Sequence, residues 1–375
     1  MKSILIVNQS SGYLMVDIAN AFVNSGKYDQ VVLMAGNPEA LVGLDKNVCV
    51  EKICKYNRKS LRRRFFSWVY GTIQVLFRVL FKYRSYELFL VSNPPTISFI
   101  TLFCKNLYST LIYDVYPDGI VSGGFVTRRN LLFRIWAKVT KKFYQNAQYI
   151  YTITEGMADR ISQYCDRERI EIIPVWYSAD LNPIDKVKNT FILEHGLQDK
   201  FIIMYSGNIG KGHNVKLLVS IAERMKEDDD VRFVIIGDGW EKKMIQDSII
   251  EKSLKNVLLL PFQPFDKLAY SLSAADIAYI SVEGRASTVC VPSKTFNFIK
   301  LSKPLLCVAK TNSELAKLIQ TYKNGRVFDP SDLDGIISFI KNLKDSVELR
   351  EQYKVNVSVA KNVFSPNNAY QFIKR

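Results

Sequence analysis

The chain has 375 residues, 48% of them hydrophobic and 23% charged. That is close to a globular average, excludes wholesale disorder, and at roughly 100–200 residues per domain makes about two domains. Lys and Arg total 51 against 36 Asp and Glu, and the net charge of +15 calls for an anionic partner: nucleic acid, a phosphorylated substrate or anionic lipid.

The first apolar run, residues 3–7, begins almost at once and leaves no room for a cleavable leader. It ends in Asn8-Gln9-Ser10-Ser11-Gly12, and a helical pattern and Val31–Met34 follow. Residues 52–86 hold ten Lys and Arg and no acid. Within them Arg62-Arg63-Arg64-Phe65-Phe66 and Trp68 interleave cations with aromatics, the signature of a basic amphipathic helix lying on a membrane surface. Arg128–Lys142 is a second basic stretch without acids. A solvated basic face with its aromatics in the core is the simpler alternative, and no nucleic-acid-binding module is recognisable. The most apolar stretch, Leu88–Phe103, is cut by Asn93-Pro94-Pro95 and is too short to span a bilayer. These features predict a cytoplasmic protein held peripherally on the inner face of the cell membrane.

Short apolar strands at Leu88–Val91, Thr110–Tyr113, Tyr149–Thr152 and Ile170–Ile173 alternate with helical stretches. A second series runs through Phe201–Tyr205, Val231–Ile236, Val257–Leu260, Ile277–Ile280, Pro304–Val308 and Gly325–Phe328. Continuous apolar strands alternating with helices predict parallel sheets covered on both faces. The expected fold is α/β: two Rossmann-like doubly wound domains with a ligand cleft between them. The expected boundaries are 1–180 and 181–364, with 365–375 a helix packing back on the first domain.

Chemistry-bearing residues cluster where strands end. Gly207-Asn208-Ile209-Gly210-Lys211-Gly212-His213 follows a strand and precedes a helix, so its backbone can approach a phosphate, with Lys211 and His213 supplying charge. No Walker spacing is present. Gly237-Asp238-Gly239 is suited to a base or ribose near the backbone, or to a plain turn. Pro292-Ser293-Lys294 opens a helix in ordinary start grammar, except that a cation there is unfavourable unless it meets an anion. Asp114 and Asp118 flank a loop after a strand; one can orient or deprotonate a hydroxyl while the other caps the loop. Asp228-Asp229-Asp230 has metal-like spacing but lies between helix and strand and reads as a solvated turn. Only two histidines, His195 and His213, and six cysteines without a C-x-x-C pair argue against a zinc site and for reduced thiols.

Taken in order, Ser92-Asn93-Pro94-Pro95, Asp114-Val115-Tyr116-Pro117-Asp118, Thr154-Glu155-Gly156-Met157, Ser206–Gly210, Gly237–Gly239 and Val291–Lys294 resemble bacterial family 4 glycosyltransferases of the GT-B fold, in the capsule, O-antigen and exopolysaccharide branch. The resemblance implies a retaining, metal-independent transferase without a cofactor. Its donor is a nucleotide sugar, UDP-linked first and GDP-linked second, and its acceptor a sugar on a polyprenyl diphosphate. By position it implies Gly207, Asn208, Gly210, His213, Gly237, Asp238, Gly239, Phe262, Pro292, Ser293 and Asn297 for the donor, and Gly12 and Glu283, the latter near but not at the family's position, join them as donor candidates. Lys211 and Lys294 would stabilise the leaving group, and Asp118, ahead of Asp114, would act on the acceptor hydroxyl. The family's paired glutamates are replaced by Val289 and Asn297, which bears on the donor sugar. Two rivals are a non-hydrolysing sugar-nucleotide epimerase of the same fold and a non-catalytic basic protein binding membrane or nucleic acid.

Overall fold

A computed structural model describes residues 2–373, apart from 58, 123–126 and 128. Arg58 and Arg128 of the two basic stretches therefore lie outside the described residues. The chain divides into two compact units: residues 2–175 with 366–373, and Trp176–Ser365.

The first unit is built on a seven-stranded parallel sheet. Its strands are β1 (Ser3–Asn8), β2 (Gln30–Ala35), β3 (Val48–Lys52), β4 (Glu87–Val91), β5 (Tyr108–Ile112), β6 (Ile150–Thr152) and β7 (Ile170–Ile172), in the order β3-β2-β1-β4-β5-β6-β7. The second unit carries β8 (Phe201–Ser206), β9 (Val231–Ile236), β10 (Val257–Leu260), β11 (Ile277–Ser281), β12 (Leu305–Val308) and β13 (Gly325–Phe328), ordered β10-β9-β8-β11-β12-β13. Central strands such as β1, β8 and β11 are buried along almost their whole length, because helices cover both faces of each sheet.

Edge strand β3 is the element the apolar pattern does not predict. Only Val48 is buried, while Cys49 and Val50 are exposed, so its five residues lack the apolar run that marks the other strands. Helices begin where short polar side chains satisfy open amides: Ser60 accepts from Arg63 N–H, Thr154 from Met157 and Ser313 from Ala316. Residues Pro366–Phe372 return to the first unit, where the Phe372 ring lies 5.5 Å from Phe89 and 5.0 Å from Tyr151. Among the described residues no helix is long and apolar enough to cross a membrane.

Each sheet has a switch point, between β1 and β4 in the first unit and between β8 and β11 in the second, where the chain leaves one strand in opposite directions. Loops diverge there and leave a crevice at the strands' carboxyl ends.

Candidate functional site

In the second unit the switch point is lined by the loops after β8, β9 and β11. Gly207 adopts φ +148°, and a Cβ built there would stand 2.7 Å from Lys294 Nζ. Gly237 adopts φ +153°, and its Cβ would stand 1.9 Å from the Gly207 carbonyl oxygen. Gly237 is thus required where two loops pack backbone on backbone. The amides of Gly207 and Ile209 are occupied as well, donating to Ile236 O at 2.9 Å and Asp238 O at 2.8 Å. The expectation that this loop's amides point at a ligand therefore fails for those two.

What the loop does present is charge. Lys294, at the start of the helix Lys294–Lys300, reaches back to Gly207 with its Nζ 3.7 Å from the centre of the Tyr205 ring. The ammonium is buried and, among the described residues, has no hydrogen-bond partner. Loss of hydration holds it far below the usual lysine range, at about 7. His213 is half-buried, with Nδ1 3.3 Å from Ser281 O, and is held below its usual value first by burial and then by Lys294. Two basic groups thus share one desolvated spot, and among the described residues no carboxylate pairs with the Lys294 ammonium, an arrangement whose natural complement is a phosphate group. Tyr205, which carries Lys294, drew no notice in the sequence, because it reads there as a core strand residue.

The remaining expected donor residues divide. Lys211 and Asn208 are exposed on the same loop. Gly210 caps the short turn Lys211–His213 and accepts from His213 N–H at 2.9 Å. Asp238 and Gly239 form the facing turn, where Asp238 Oδ1 accepts from Gly239 N–H at 2.8 Å. Glu283 is held in place: its carboxylate accepts from Asn214 Nδ2, and its amide donates to Gly212 O at 3.0 Å. Asn214, in the left-handed region at φ 40°, also caps Leu217 N–H, so it joins the β8 and β11 loops without having been singled out. Phe262 is exposed after β10. Ser293 makes no side-chain cap, contrary to the start grammar, and Pro292 O accepts from Thr295 N–H at 2.9 Å. Asn297 Oδ1 accepts from Ser178 N–H at 3.4 Å, which ties it to the unit's own backbone. Gly12 lies in the first unit, at the start of the helix Tyr13–Asn24, and a Cβ there would meet nothing within 4 Å. Asp228, in the acidic turn, pairs with Lys344 at 2.7 Å.

In the first unit, Ser92 Oγ accepts from the amides of Tyr113 and Asp114 at 3.0 and 3.2 Å, which fixes the start of the loop after β5. Solvent reaches Asp114, but the protein crowding it strips enough hydration to push its carboxyl up to about 6. Asp118 was expected to lie further out, yet it is the buried one, with 5% exposure, and accepts a hydrogen bond from Tyr164. The helix starting at Asp118 turns the loop back into the protein, so the order of the two aspartates is reversed.

The basic stretch forms the helix Leu61–Phe81. Arg62, Arg63, Phe65 and Phe66 are exposed, and Phe66, Tyr70, Ile73, Phe77 and Phe81 make one outward stripe. Trp68 does not belong to that surface. It falls on the inward face with Thr72, Val75 and Val79, is 9% exposed, and stacks on Tyr56 at 6.0 Å.

Residues 188–358 match the family Glycosyl transferases group 1. The matched stretch lies within the second unit. WbjE of Pseudomonas aeruginosa, named as a glycosyltransferase, is 21% identical over 59% of the chain and 56% of its own length. WcaI of Escherichia coli, a glycosyl transferase named for colanic acid biosynthesis, is 25% identical over 52% of the chain and 49% of its own. The chain therefore spans about half the length of the curated relatives it matches. HepE of Anabaena, solved with UDP and glucose, superposes with a TM-score of 0.73 over 100% of the chain and 98% of its own, at 13% identity. At that identity the likeness is one of fold, the two parallel-sheet units of GT-B proteins. The matched stretch holds Lys294, His213 and the glycine loop, whereas Asp114 belongs to the other unit.

Proposed function

We propose that the protein transfers a sugar from a nucleotide sugar, UDP-linked by preference, to a saccharide on a polyprenyl diphosphate during bacterial surface polysaccharide synthesis. The observation that carries this is the buried, unpaired Lys294 ammonium against the glycine loop of the matched stretch. A donor diphosphate placed there meets Lys294 and His213, and a dianion restores the charge that burial has stripped from the lysine. The fold neighbour solved with UDP and glucose supports UDP as the donor nucleotide.

The bond from the anomeric carbon to the diphosphate oxygen breaks, and its electron pair leaves with the diphosphate. Lys294 and His213 stabilise that growing charge, so the step needs no metal. The acceptor oxygen bonds the anomeric carbon from the face the diphosphate vacates, which retains configuration. Its proton passes to the departing phosphate, and Asp114 orients the hydroxyl. The lipid carrier places the work at the cytoplasmic face of the membrane, where the exposed cations and aromatics of Leu61–Phe81 hold the protein.

Thermal shift with UDP and GDP on the wild type and Lys294→Met tests the donor site. Saturable stabilisation by UDP that the variant loses is expected; equal responses from both proteins would overturn the assignment. A screen of nucleotide sugars with a polyprenyl-diphosphate-linked sugar then separates transfer from epimerisation by where the labelled sugar ends.

A further inference from the structure

The first unit contains a cavity of about 680 Å³, within the ~300–1,000 Å³ of small-molecule sites. Its walls come from the helices Leu61–Phe81 and Leu131–Asn146 and the segment Pro95–Leu102, with Trp68, Val69, Phe99, Ile100 and Trp136 facing it and Tyr116 at its floor. The polar groups on these walls are mostly spent. Thr72 and Thr96 hydroxyls bond each other at 2.6 Å, and Thr96 also donates to Trp68 O at 3.2 Å. A chamber lined this way does not hold ordered water and favours hydrocarbon.

Two polar atoms break the pattern, Trp136 Nε1 and Arg64 Nε, and of these Arg64 carries the charge. Arg64 lines the cavity, and its Nε is buried without a hydrogen-bond partner among the described residues. Its guanidinium carbon lies 5.9 Å from the Tyr56 ring centre, and exposed Arg62 and Arg63 adjoin it. An occupant therefore needs an apolar body and an anionic end. Tyr116, which lines the cavity beside Arg64, follows Asp114 by two residues on the loop after β5, so the cavity wall and the proposed acceptor group belong to one loop.

We infer that this cavity holds the first isoprenoid units of the lipid-linked acceptor, with Arg64 taking an oxygen of its diphosphate. The inference rests on the proposed acceptor class and adds a site for the carrier itself. A lipid gripped at its head end delivers its sugar to Asp114, and the remaining tail stays in the bilayer beside the exposed stripe Phe66–Phe81.

The test uses the full chain and farnesyl diphosphate, read by the fluorescence of Trp68 and Trp136. Saturable one-to-one binding is expected, undisturbed by inorganic pyrophosphate or by phosphatidylglycerol vesicles. Arg64→Gln should weaken farnesyl diphosphate at least fivefold and farnesol less than twofold. Leu132→Glu, at an exposed rim position, should weaken both without lowering the melting temperature. Absent saturation in the wild type, displacement by the vesicles, or equal loss of both ligands in Arg64→Gln would each overturn the inference. Because binding is read without donor or transfer, its failure is separate from that of the transferase reading. Transfer to a soluble sugar acceptor without prenyl binding defeats only the cavity assignment; prenyl binding without transfer from any donor defeats only the reaction.

Discussion

Burying the Lys294 ammonium unpaired costs on the order of several kcal/mol, against about 2 kcal/mol from the Tyr205 ring. Desolvation wins, and the lysine falls to about 7 while the unfolded chain keeps it near ~10.4. Below pH 7 both states carry the proton and the native one bears the whole penalty. Between pH 7 and 10 only the unfolded state binds it, so stability gains with rising pH. Lys294→Met should therefore raise the melting temperature more at pH 6 than at pH 9 while cutting turnover at least about tenfold; a uniform gain or unchanged turnover contradicts this. For Asp114, raised to about 6, transfer should rise with pH through 6 as the carboxylate forms. Asp114→Asn should abolish transfer and leave the UDP response within about twofold, and steady-state rates from pH 5 to 8 decide both points. Lys294 was legible as a cation at a helix start with nothing to meet. Asp118 was misplaced because sequence spacing shows two carboxylates on a loop but not which one the next helix turns inward, and Tyr205 was invisible because a core tyrosine and a cation's platform read alike.

The helix Leu61–Phe81 has two faces with different work. Its outward stripe joins Arg62 and Arg63 to Phe66, Tyr70, Ile73, Phe77 and Phe81, whereas Trp68, Thr72, Val75 and Val79 face inward. Each cation near an anionic surface contributes roughly 1 kcal/mol, and that attraction weakens as salt shortens the Debye length. Arg62→Glu with Arg63→Glu should release the protein from phosphatidylglycerol vesicles at low salt, and 0.5 M salt, an ionic strength with a Debye length of about 4 Å, should mimic the change in the wild type. Equal sedimentation of variant and wild type would reduce the stripe to a solvated face. Trp68→Ser should instead destabilise the first unit by roughly 3–5 kcal/mol, read by denaturant titration, because it hollows a packed wall. The sequence showed a basic aromatic helix, but not its rotation. Ten cations without an acid dominate the pattern, and the inward face emerges only once Trp68 lies on Tyr56 and Tyr116.

At the scale of the molecule, parallel sheets with helices on both faces were legible because the central strands are continuous apolar runs. Edge strand β3 was not, since one buried residue in five leaves no pattern. The covalent path adds something no strand pattern carries. It passes from the first unit to the second at Val175–Trp176 and returns at Ser365–Pro366, ending with Phe372 between Phe89 and Tyr151. Phe372→Ala should lower the stability of the first unit by roughly 3–5 kcal/mol while the UDP response of the second is kept, as calorimetry with and without nucleotide would register. The same path makes the tail a clasp. A protease cut after Val175 severs one of two covalent bridges, yet the larger fragment still carries the segment that belongs to the smaller one's core. The two fragments of a nicked molecule should travel together through a sizing column and part only in denaturant, so the protein can lose the Val175–Trp176 peptide bond without falling in two.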